Sequence, residues 1–231
     1  MAVVVVKRSK RYKEAAKKAV AAPVAVDAAI DVVKSFNATK FDQTVELIFN
    51  LGIDAKHADQ MIRGSLSLPH GVGKTKRVVA FCGENLVAGA LAAGAIRAGS
   101  QELVAAIEKE NFTDFDVAIA SPDMMRFVGR LGKVLGPKGL MPSPKAGTVT
   151  PNIADAVKEY AAGKVEFRND SGGNVHCVVG KVSFEKQKLE DNINAMIAQV
   201  RKMKPATSKG TYLKKIVIKG TMTPAVQLNV Q

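Results

Sequence analysis

The sequence is poor in the residues that carry most catalytic, metal-binding and stacking chemistry. Its 231 residues include no Trp, 5% aromatic residues, two Cys and three His. Two Cys cannot make the disulfide framework of a small secreted domain, and so few Cys and His leave little for a structural zinc site. The scarcity of aromatic rings argues against a protein that binds single-stranded nucleic acid mainly by stacking its bases.

Long hydrophobic runs are also missing. No apolar stretch approaches the ~20 residues that a membrane-spanning helix needs. The short run Val3 to Val6 precedes the basic residues Lys7 and Arg8, whereas a signal peptide places its basic residues first. We therefore expect a cytoplasmic protein with reduced thiols and no membrane partner.

Acidic side chains are outnumbered, and the imbalance is unevenly distributed. The chain has 34 Lys and Arg against 21 Asp and Glu, a net charge of +13. Residues 1–67 carry 11 basic and 7 acidic side chains (+4), residues 68–159 carry 11 and 9 (+2), and residues 160–231 carry 12 and 5 (+7). A basic excess either keeps a protein soluble or binds a polyanion, nucleic acid first. Its concentration at the two ends favours polyanion binding there.

The two ends of the chain resemble each other in hydrophobic pattern. Residues 1–20 form a basic arm that we expect to be helical once it is bound. Residues 26–36 have helical periodicity, and residues 43–51 alternate as a half-buried strand does. Residues 164–180 are typical of a hairpin, residues 189–203 of an amphipathic helix that Pro205 ends, and residues 211–219 of a strand.

The middle of the chain has a different style. Compact apolar runs within residues 77–82 and 117–120 are typical of strands covered on both faces, and a short strand is expected at residues 95–96. Helical stretches over residues 86–93 and 100–110, and helix starts at Ser121 and Thr150, lie between and after these strands. This alternation predicts a mostly parallel, helix-covered sheet. The simplest organisation is one domain from residues 1–67 and 160–231 with residues 68–159 inserted, although three separate units would have the same pattern.

Two glycine-rich segments suggest nucleotide or nucleic-acid loops. Residues 70–75, HGVGKT, lack the first glycine of a phosphate-binding loop because Leu68 occupies that position, which disfavours nucleotide hydrolysis. Residues 136–139, GPKG, resemble the backbone clamp of KH domains, but the Pro-rich run that follows interrupts the required second helix. A rigid surface loop is the simpler interpretation.

Other residues point to packing rather than catalysis. Cys82 and Cys177 lie on apolar positions of predicted strands, and His57, His70 and His176 are far apart in sequence. By strand parity Phe41 shares the side of Val45, which favours core packing. We therefore predict no catalytic residue, no metal and no cofactor, and the protein is not expected to be an enzyme.

Five stretches in the same order resemble the family of the bacterial large-subunit ribosomal protein L-one, the protein of the mobile stalk. These stretches are GKVLGPKGLMPSPKAGTVTPN at residues 132–152, AKHADQMIRG at 55–64, SLPHGVGK at 67–74, FRND at 167–170 and KG-Y-LKK at 209–215. The resemblance covers about residues 5–225. It implies α+β and α/β architecture in two domains: an outer split α+β domain of β-α-β type from both chain ends, and an inserted Rossmann-like three-layer α/β domain.

The resemblance also implies a function. Such a protein binds large-subunit ribosomal RNA at the stalk near the tRNA exit site, assists release of deacylated tRNA, and represses translation by binding its own operon messenger RNA. It would be a monomer when free and would work on the ribosome in the cytoplasm. Transferred by motif, its RNA contacts fall on the following residues of this chain: Lys40, Phe41, Thr44, Glu46, Arg168, Asp170, Thr221 and Met222.

One residue departs from the family pattern. The family usually has Thr-Met-Gly where this chain has Thr221, Met222 and Thr223. Because glycine allows a closer backbone approach than a β-branched residue, the expected RNA contacts include Thr221 and Met222 but not Thr223. A free-standing regulator that binds only messenger RNA, and a nucleotide-dependent enzyme built on the inserted domain, are the alternatives to a ribosomal protein.

Overall fold

The computed structural model describes residues 8–20, 22–36, 39–110 and 112–229. In this part of the chain the strands are β1 (Thr44–Leu51), β2 (Arg63–Leu66), β3 (Val78–Phe81), β4 (Arg97–Gly99), β5 (Val117–Ala120), β6 (Val165–Arg168), β7 (Asn174–Lys181), β8 (Leu213–Gly220) and β9 (Val226–Leu228). The helices are α1 (Lys10–Lys18), α2 (Val26–Lys34), α3 (Glu84–Ala92), α4 (Gln101–Glu110), α5 (Met125–Val128), α6 (Gly132–Leu135), α7 (Ile153–Ala161) and α8 (Lys186–Lys202). Short 3₁₀ turns occupy Pro122–Met124, Gly129–Leu131 and Pro144–Ala146.

Contacts divide the chain into two compact units. Unit 1 comprises Met1–Ile62, Leu68–His70 and Arg168–Gln231, and unit 2 comprises Arg63–Ser67 and Gly71–Phe167. One unit has an antiparallel sheet and the other a parallel one, which confirms the predicted combination of α+β and α/β architecture. The domain boundaries predicted from the sequence, 1–67 with 160–231 and 68–159, stay a prediction.

Unit 1 is an antiparallel sheet of order β7-β1-β8-β9 with helices on one face. Along β1 every second residue is buried, so Val45, Leu47 and Phe49 point to the core. Helices α2 and α8 pack against this sheet and against each other. In α8 the buried positions include Leu189, Ile193, Met196 and Val200, an apolar stripe at helical spacing. The alternation in β1 therefore separates a covered face from a polar one.

Helix α1 contains part of the predicted basic arm. It begins after Ser9, whose hydroxyl accepts a hydrogen bond from the Tyr12 amide at 3.2 Å. Such an N-cap satisfies one of the first free amides of a helix. Residues 1–7 of the predicted arm lie outside the described residues.

Unit 2 has a parallel sheet of order β4-β3-β5 between two layers of helices. In β3, Val79 and Phe81 belong to a core cluster with Val104 and Ile107 of α4. Alternate β3 residues, Val78 and Ala80, belong to a second cluster with residues of α3 and α7. Because both sheet faces are buried, β3 and β5 are apolar throughout rather than alternating. This is the helix-covered parallel sheet that the alternation of strands and helices predicts, and the three-layer arrangement that the family resemblance implies.

The predicted hairpin over residues 164–180 is wrong. Strand β6 pairs with β2 in a separate two-stranded sheet, and β7 pairs with β1. Only an isolated bridge between Asn169 and Val175 joins the two segments. Residues 170–174 do form the tight turn that their composition predicts. The alternation of apolar and polar residues within β6 and β7, however, does not indicate that each strand pairs with a distant strand rather than with the other.

Two further differences concern unit 2. Strand β4 lies at Arg97–Gly99, whereas the sequence predicts a strand at residues 95–96. The prediction relied on the apolar side chain of Ile96, but this side chain is 43% exposed at the edge of the sheet, so it does not mark a buried strand position. The GPKG segment follows α6, and the next elements are a 3₁₀ turn at Pro144–Ala146 and then α7. Among the described helices, none has the length and apolar character to cross a membrane.

Candidate nucleic-acid interface

The face of the unit 1 sheet opposite α2 and α8 is polar and cationic. In β1 it carries Thr44, Glu46, Ile48 and Asn50, all partly exposed. Directly paired residues of antiparallel strands share a face, so this polar face continues on the neighbours of β1. Those neighbours are Asn174, His176, Val178 and Lys181 in β7, and Lys215, Val217 and Lys219 in β8. Three lysines therefore accompany one carboxylate.

Two threonines lock the start of β1 to the end of β8. The Thr44 amide donates to the Thr221 hydroxyl at 3.2 Å, and that hydroxyl lies 3.3 Å from the Thr44 carbonyl, to which it can donate. The Lys181 ammonium donates to the Thr44 hydroxyl at 2.9 Å from the other side. The result is a fixed group of hydroxyls beside a cation, which is the chemistry that contacts phosphate and sugar oxygens. We call Thr44, Lys181 and Thr221 the threonine cluster.

An ion pair lies next to this cluster on the polar face. Lys219 Nζ is 3.2 Å from Glu46 Oε2, and the two side chains are about 30% exposed. An exposed pair of this kind contributes ~0–1 kcal/mol, so a competing anion separates it at little cost. Glu46 thus holds Lys219 over the sheet, and its carboxylate can accept a hydrogen bond from a ribose hydroxyl.

Two apolar side chains lie exposed at the ends of the elements that build this site. Met222 is 50% exposed while its amide donates to Gln43 Oε1 at 2.9 Å. Phe41 is also 50% exposed, so the prediction that it packs in the core is wrong. The reason is that β1 begins only at Thr44, so its alternation does not extend to residue 41. Both side chains are available to pack against a ribose or a base.

Thr223 occupies the position where the family usually has Gly. It is 9% exposed, and its hydroxyl accepts a hydrogen bond from the Gly220 amide at 2.8 Å. The same hydroxyl lies 3.1 Å from the Pro224 carbonyl. Thr223 therefore closes the turn after β8 from within, while Thr221 and Met222 remain exposed.

Arg168 and Asp170 lie at the other end of this sheet. Asp170 Oδ1 accepts hydrogen bonds from the Gly172 and Asn174 amides at 2.9 and 2.7 Å. These hydrogen bonds hold the pKa of Asp170 below its usual range, and the bond from the Asn174 amide has the largest effect. Asn174 pairs with Asn50, six residues along β1 from Thr44, a separation of ~20 Å at ~3.3 Å per residue. Asp170 thus builds the turn before β7, and Arg168 is exposed at the end of β6.

The predicted residues accordingly fall into two groups. Thr44, Glu46, Thr221 and Met222 come together at one end of the sheet, and Phe41 and the exposed Lys40 precede β1 at that end. Arg168 and Asp170 are not part of that group.

Lys181 and Gln43 are residues of the site that sequence reasoning missed. Simple alternation puts Lys181 on the buried side with Val175, Cys177 and Val179, but a bulge opposite Val45 and Glu46 turns it to the polar face. Gln43 is a buried polar residue, and only its contact with the Met222 amide reveals its role. A strand-ending lysine was the only sequence signal for the first, and the second had none.

The chemistry of the polar face is that of hydrogen bonding and charge. Across the part of the chain that the structure describes, no three His, Cys, Asp or Glu side chains form a group that could hold a metal ion. Cys82 and Cys177 are buried free thiols, and burial raises the pKa of both. Hydroxyls, lysines and one carboxylate suit recognition of a folded polynucleotide by its backbone and 2′-hydroxyls.

Comparisons with known proteins agree on one family. The model of the ribosomal protein L1p/L10e family matches residues 33–224. The large ribosomal subunit protein uL1 of Kosmotoga olearia is 50% identical over 226 residues, 97% of this chain and 97% of that protein. The protein of the same name from Thermosipho melanesiensis is 49% identical over 225 residues, 96% of this chain and 97% of that protein.

Proposed function

Because the chain belongs to the ribosomal protein L1p/L10e family, we propose that it binds large-subunit ribosomal RNA through the polar face of unit 1. The observation that carries this proposal is the convergence of the threonine cluster, the Glu46–Lys219 pair and two exposed apolar side chains at one end of a cationic sheet face. Unit 1 has 21 basic and 11 acidic residues, a net of +10, against 13 and 10, a net of +3, in unit 2.

Binding would work by positioned polar contacts. Lys181 and Lys219 neutralise phosphates, and the fixed hydroxyls of Thr44 and Thr221 contact phosphate or sugar oxygens. Glu46 accepts from a 2′-hydroxyl, which distinguishes RNA from DNA. An acidic residue at a polyanion site is thereby explained. Phe41 and Met222 cover the apolar surface of a ribose or base at the edge of the contact.

We further propose a place and a role for this binding. The RNA is the stalk region of the large subunit, next to the site from which deacylated tRNA leaves, and the protein assists that release. The same face binds the operon messenger RNA where it imitates the ribosomal site, which represses translation. The protein is a cytoplasmic, non-catalytic component of the ribosome and a monomer when free.

Filter binding to a transcribed stalk fragment of large-subunit ribosomal RNA tests the main claim. Phe41→Ala should weaken binding about tenfold, within the ~1–3 kcal/mol that stacking of a base on an aromatic ring contributes. Met222→Ala should also weaken binding, because it removes apolar contact with the RNA. Leu91→Ala is the matched control, because Leu91 of α3 is 46% exposed but lies in unit 2. Equal affinities for all four proteins would reject the polar face as the binding surface.

Co-sedimentation separates the ribosomal protein from a regulator that binds only messenger RNA. The protein should sediment with purified large subunits, and the stalk fragment should compete with the operon leader RNA for it. Leader binding without association with the subunit would favour the regulator. Absence of competition would mean that the two RNAs use different surfaces.

A further inference from the structure

A pocket of about 550 Å³ lies at the end of the unit 1 sheet opposite the threonine cluster. It follows the last residue of β1, and its walls include Gly52, Gln60, Thr207, Lys209, Thr211 and Lys214. None of the eight residues predicted to contact RNA lines it. Two stretches that carry the family resemblance, residues 55–64 and 209–215, contribute to its walls. We call it the distal pocket.

Gly52 lets two chain segments meet at the floor of this pocket. A Cβ atom at Gly52 would lie 2.1 Å from the Thr211 carbonyl oxygen. This distance is too short for any side chain, so a larger residue at position 52 would force the backbone to move. The Ser208 hydroxyl donates to the Gly52 carbonyl at 2.9 Å, and the Gly52 amide donates to the Tyr212 carbonyl at 2.6 Å. The segment before β8 is thus fastened to the end of β1, and the pocket is a built feature.

A β-bulge directs a lysine into the distal pocket. Asn50 pairs with Lys215 and Leu51 pairs with Leu213, so Lys214 is an extra residue in β8 with no partner in β1. Bulges redirect a side chain out of the regular alternation. The Lys214 Cε atom accordingly lies 3.3 Å from the Cβ position of Gly52, across the pocket floor. Regular pairing would have left this lysine on one face of the sheet.

The remaining polar groups favour an anion. Within the described residues neither Lys209 nor Lys214 has an ion-pair partner. Gln60 Oε1 accepts from the Asp54 amide at 2.8 Å, so its amide hydrogens remain as donors. Asp54 is the acidic wall residue, but its carboxylate accepts from the Lys56 amide at 3.0 Å and lies 3.7 Å from His57 Nε2. Two lysines, two threonine hydroxyls and an amide match a phosphate group.

We propose that the distal pocket binds one backbone phosphate of the RNA, as a second anchor ~20 Å or more from the threonine cluster. This inference rests on the RNA binding proposed above. Two anchors at opposite ends of one rigid sheet fix the direction and register of the polynucleotide, which a single cationic cluster does not. Lys214 and Lys209 contact the phosphate, and Gln60 and the threonine hydroxyls orient it.

The test compares two double variants of the full chain in filter binding to the stalk fragment at several salt concentrations. Lys209→Gln with Lys214→Gln removes the pocket cations. Lys186→Gln with Lys188→Gln removes two charges from α8, where both lysines already pair with Asp31 and Glu185. The pocket variant should lose about tenfold in affinity near 100 mM salt and ~1 in the slope of log affinity against log salt. The α8 variant should change by less than about twofold.

A second arm uses inorganic phosphate as the probe, against chloride of equal ionic strength. The NMR amide signals of Gly52 and Gly210 should shift with phosphate in the wild type and not in the pocket variant. Asp54→Asn, which keeps the acceptor for the Lys56 amide, should raise RNA affinity because it removes the repelling charge.

Each outcome decides something. Failure of the wild type to bind the fragment rejects the proposed function together with this inference. Wild-type binding with equal losses in the two double variants rejects only the distal pocket, since net charge would then explain the effect. A phosphate-induced shift with unchanged RNA binding identifies a site for free phosphate and overturns the proposed RNA anchor.

Discussion

At the scale of single residues, Thr223 stands where the family usually has a conformationally free glycine, and its hydroxyl adds a hydrogen bond to the turn after β8. Its buried hydroxyl accepts a hydrogen bond from the amide of Gly220, the last residue of β8. Thr223→Val keeps the shape and removes the acceptor, so we expect a loss of ~1–3 kcal/mol in the free energy of unfolding. Urea denaturation measures the loss, and Thr223→Ser, which keeps the hydroxyl, is the control. A fully stable Val variant would mean that water satisfies the Gly220 amide.

Cys177 makes the stability of unit 1 sensitive to alkaline pH. Burial raises the pKa of its thiol from 9.0 to about 12. Between about pH 9 and 12 the unfolded chain loses this proton while the folded chain keeps it. The unfolded state then binds fewer protons, so the free energy of unfolding falls as pH rises, by ~1 kcal/mol per pH unit from this group.

Cys177→Ala should flatten this dependence. Urea unfolding of wild type and variant at pH 8, 9 and 10 gives the two slopes, and only the slopes are compared because the smaller side chain also lowers stability at neutral pH. Burial likewise raises the pKa of Tyr212 to about 12, and that tyrosine is present in both proteins. Equal slopes would show that Cys177 does not titrate during alkaline unfolding.

At the scale of elements, the turn before β7 depends on one carboxylate. Asp170 accepts from two backbone amides, and these bonds hold its pKa below 3.8. Asp170→Ala removes the acceptor and should loosen the turn, whereas Asp170→Asn keeps an oxygen there. Hydrogen exchange of the Gly172 and Asn174 amides should therefore speed up in the Ala variant and change much less in the Asn variant.

RNA affinity distinguishes a structural role of Asp170 from direct contact. If the turn is its main role, the Asn variant should bind the stalk fragment within about twofold of wild type. A large loss in the Asn variant with normal exchange protection would assign Asp170 to the RNA contact itself. Because the folded pKa is lowered, the contribution of Asp170 to stability is present at neutral pH and is lost as pH falls below 3.8.

Elements with a strong local pattern were predictable from the sequence. The alternation of β1 and the apolar stripe of α8 correspond to the observed burial because one face of each packs on a core. β5 was predicted at its observed bounds, since four consecutive apolar residues fit a strand buried on both faces. Thr44 and Glu46 were correctly placed away from the core by the same reasoning.

Elements set by distant partners were not predictable. Strands β2 and β9 are four and three residues long, and their pairing with β6 and β8 depends on the tertiary fold. The bulges that redirect Lys181 and Lys214 arise from register between strands more than 100 and 160 residues apart in sequence. No window of local sequence contains that information, which is why these two lysines were absent from the predicted site.

At the scale of the whole molecule, the positions of the basic residues matter more for RNA binding than the net charge does. Unit 1 holds a net +10 of the +13, but Lys186 and Lys188 of α8 are paired with acids, whereas on the polar face Lys181 lies beside a hydroxyl and Lys219 forms one weak pair. Long-range attraction depends on net charge wherever it lies. Contact with phosphates depends on where the cations are, and each contact releases counterions.

Two triple variants with equal net charge separate these effects. Lys181→Gln, Lys215→Gln and Lys219→Gln remove three charges from the polar face, and Arg126→Gln, Arg130→Gln and Lys133→Gln remove three exposed charges from unit 2. The first should weaken binding to the stalk fragment ~10²-fold or more near 100 mM salt and lower the salt slope by ~2–3, since each phosphate contact contributes ~1. The second should slow association at low salt but lower the slope by less than ~1. If both variants lost the same slope, attraction by total charge would account for binding, and the polar face would have no special role.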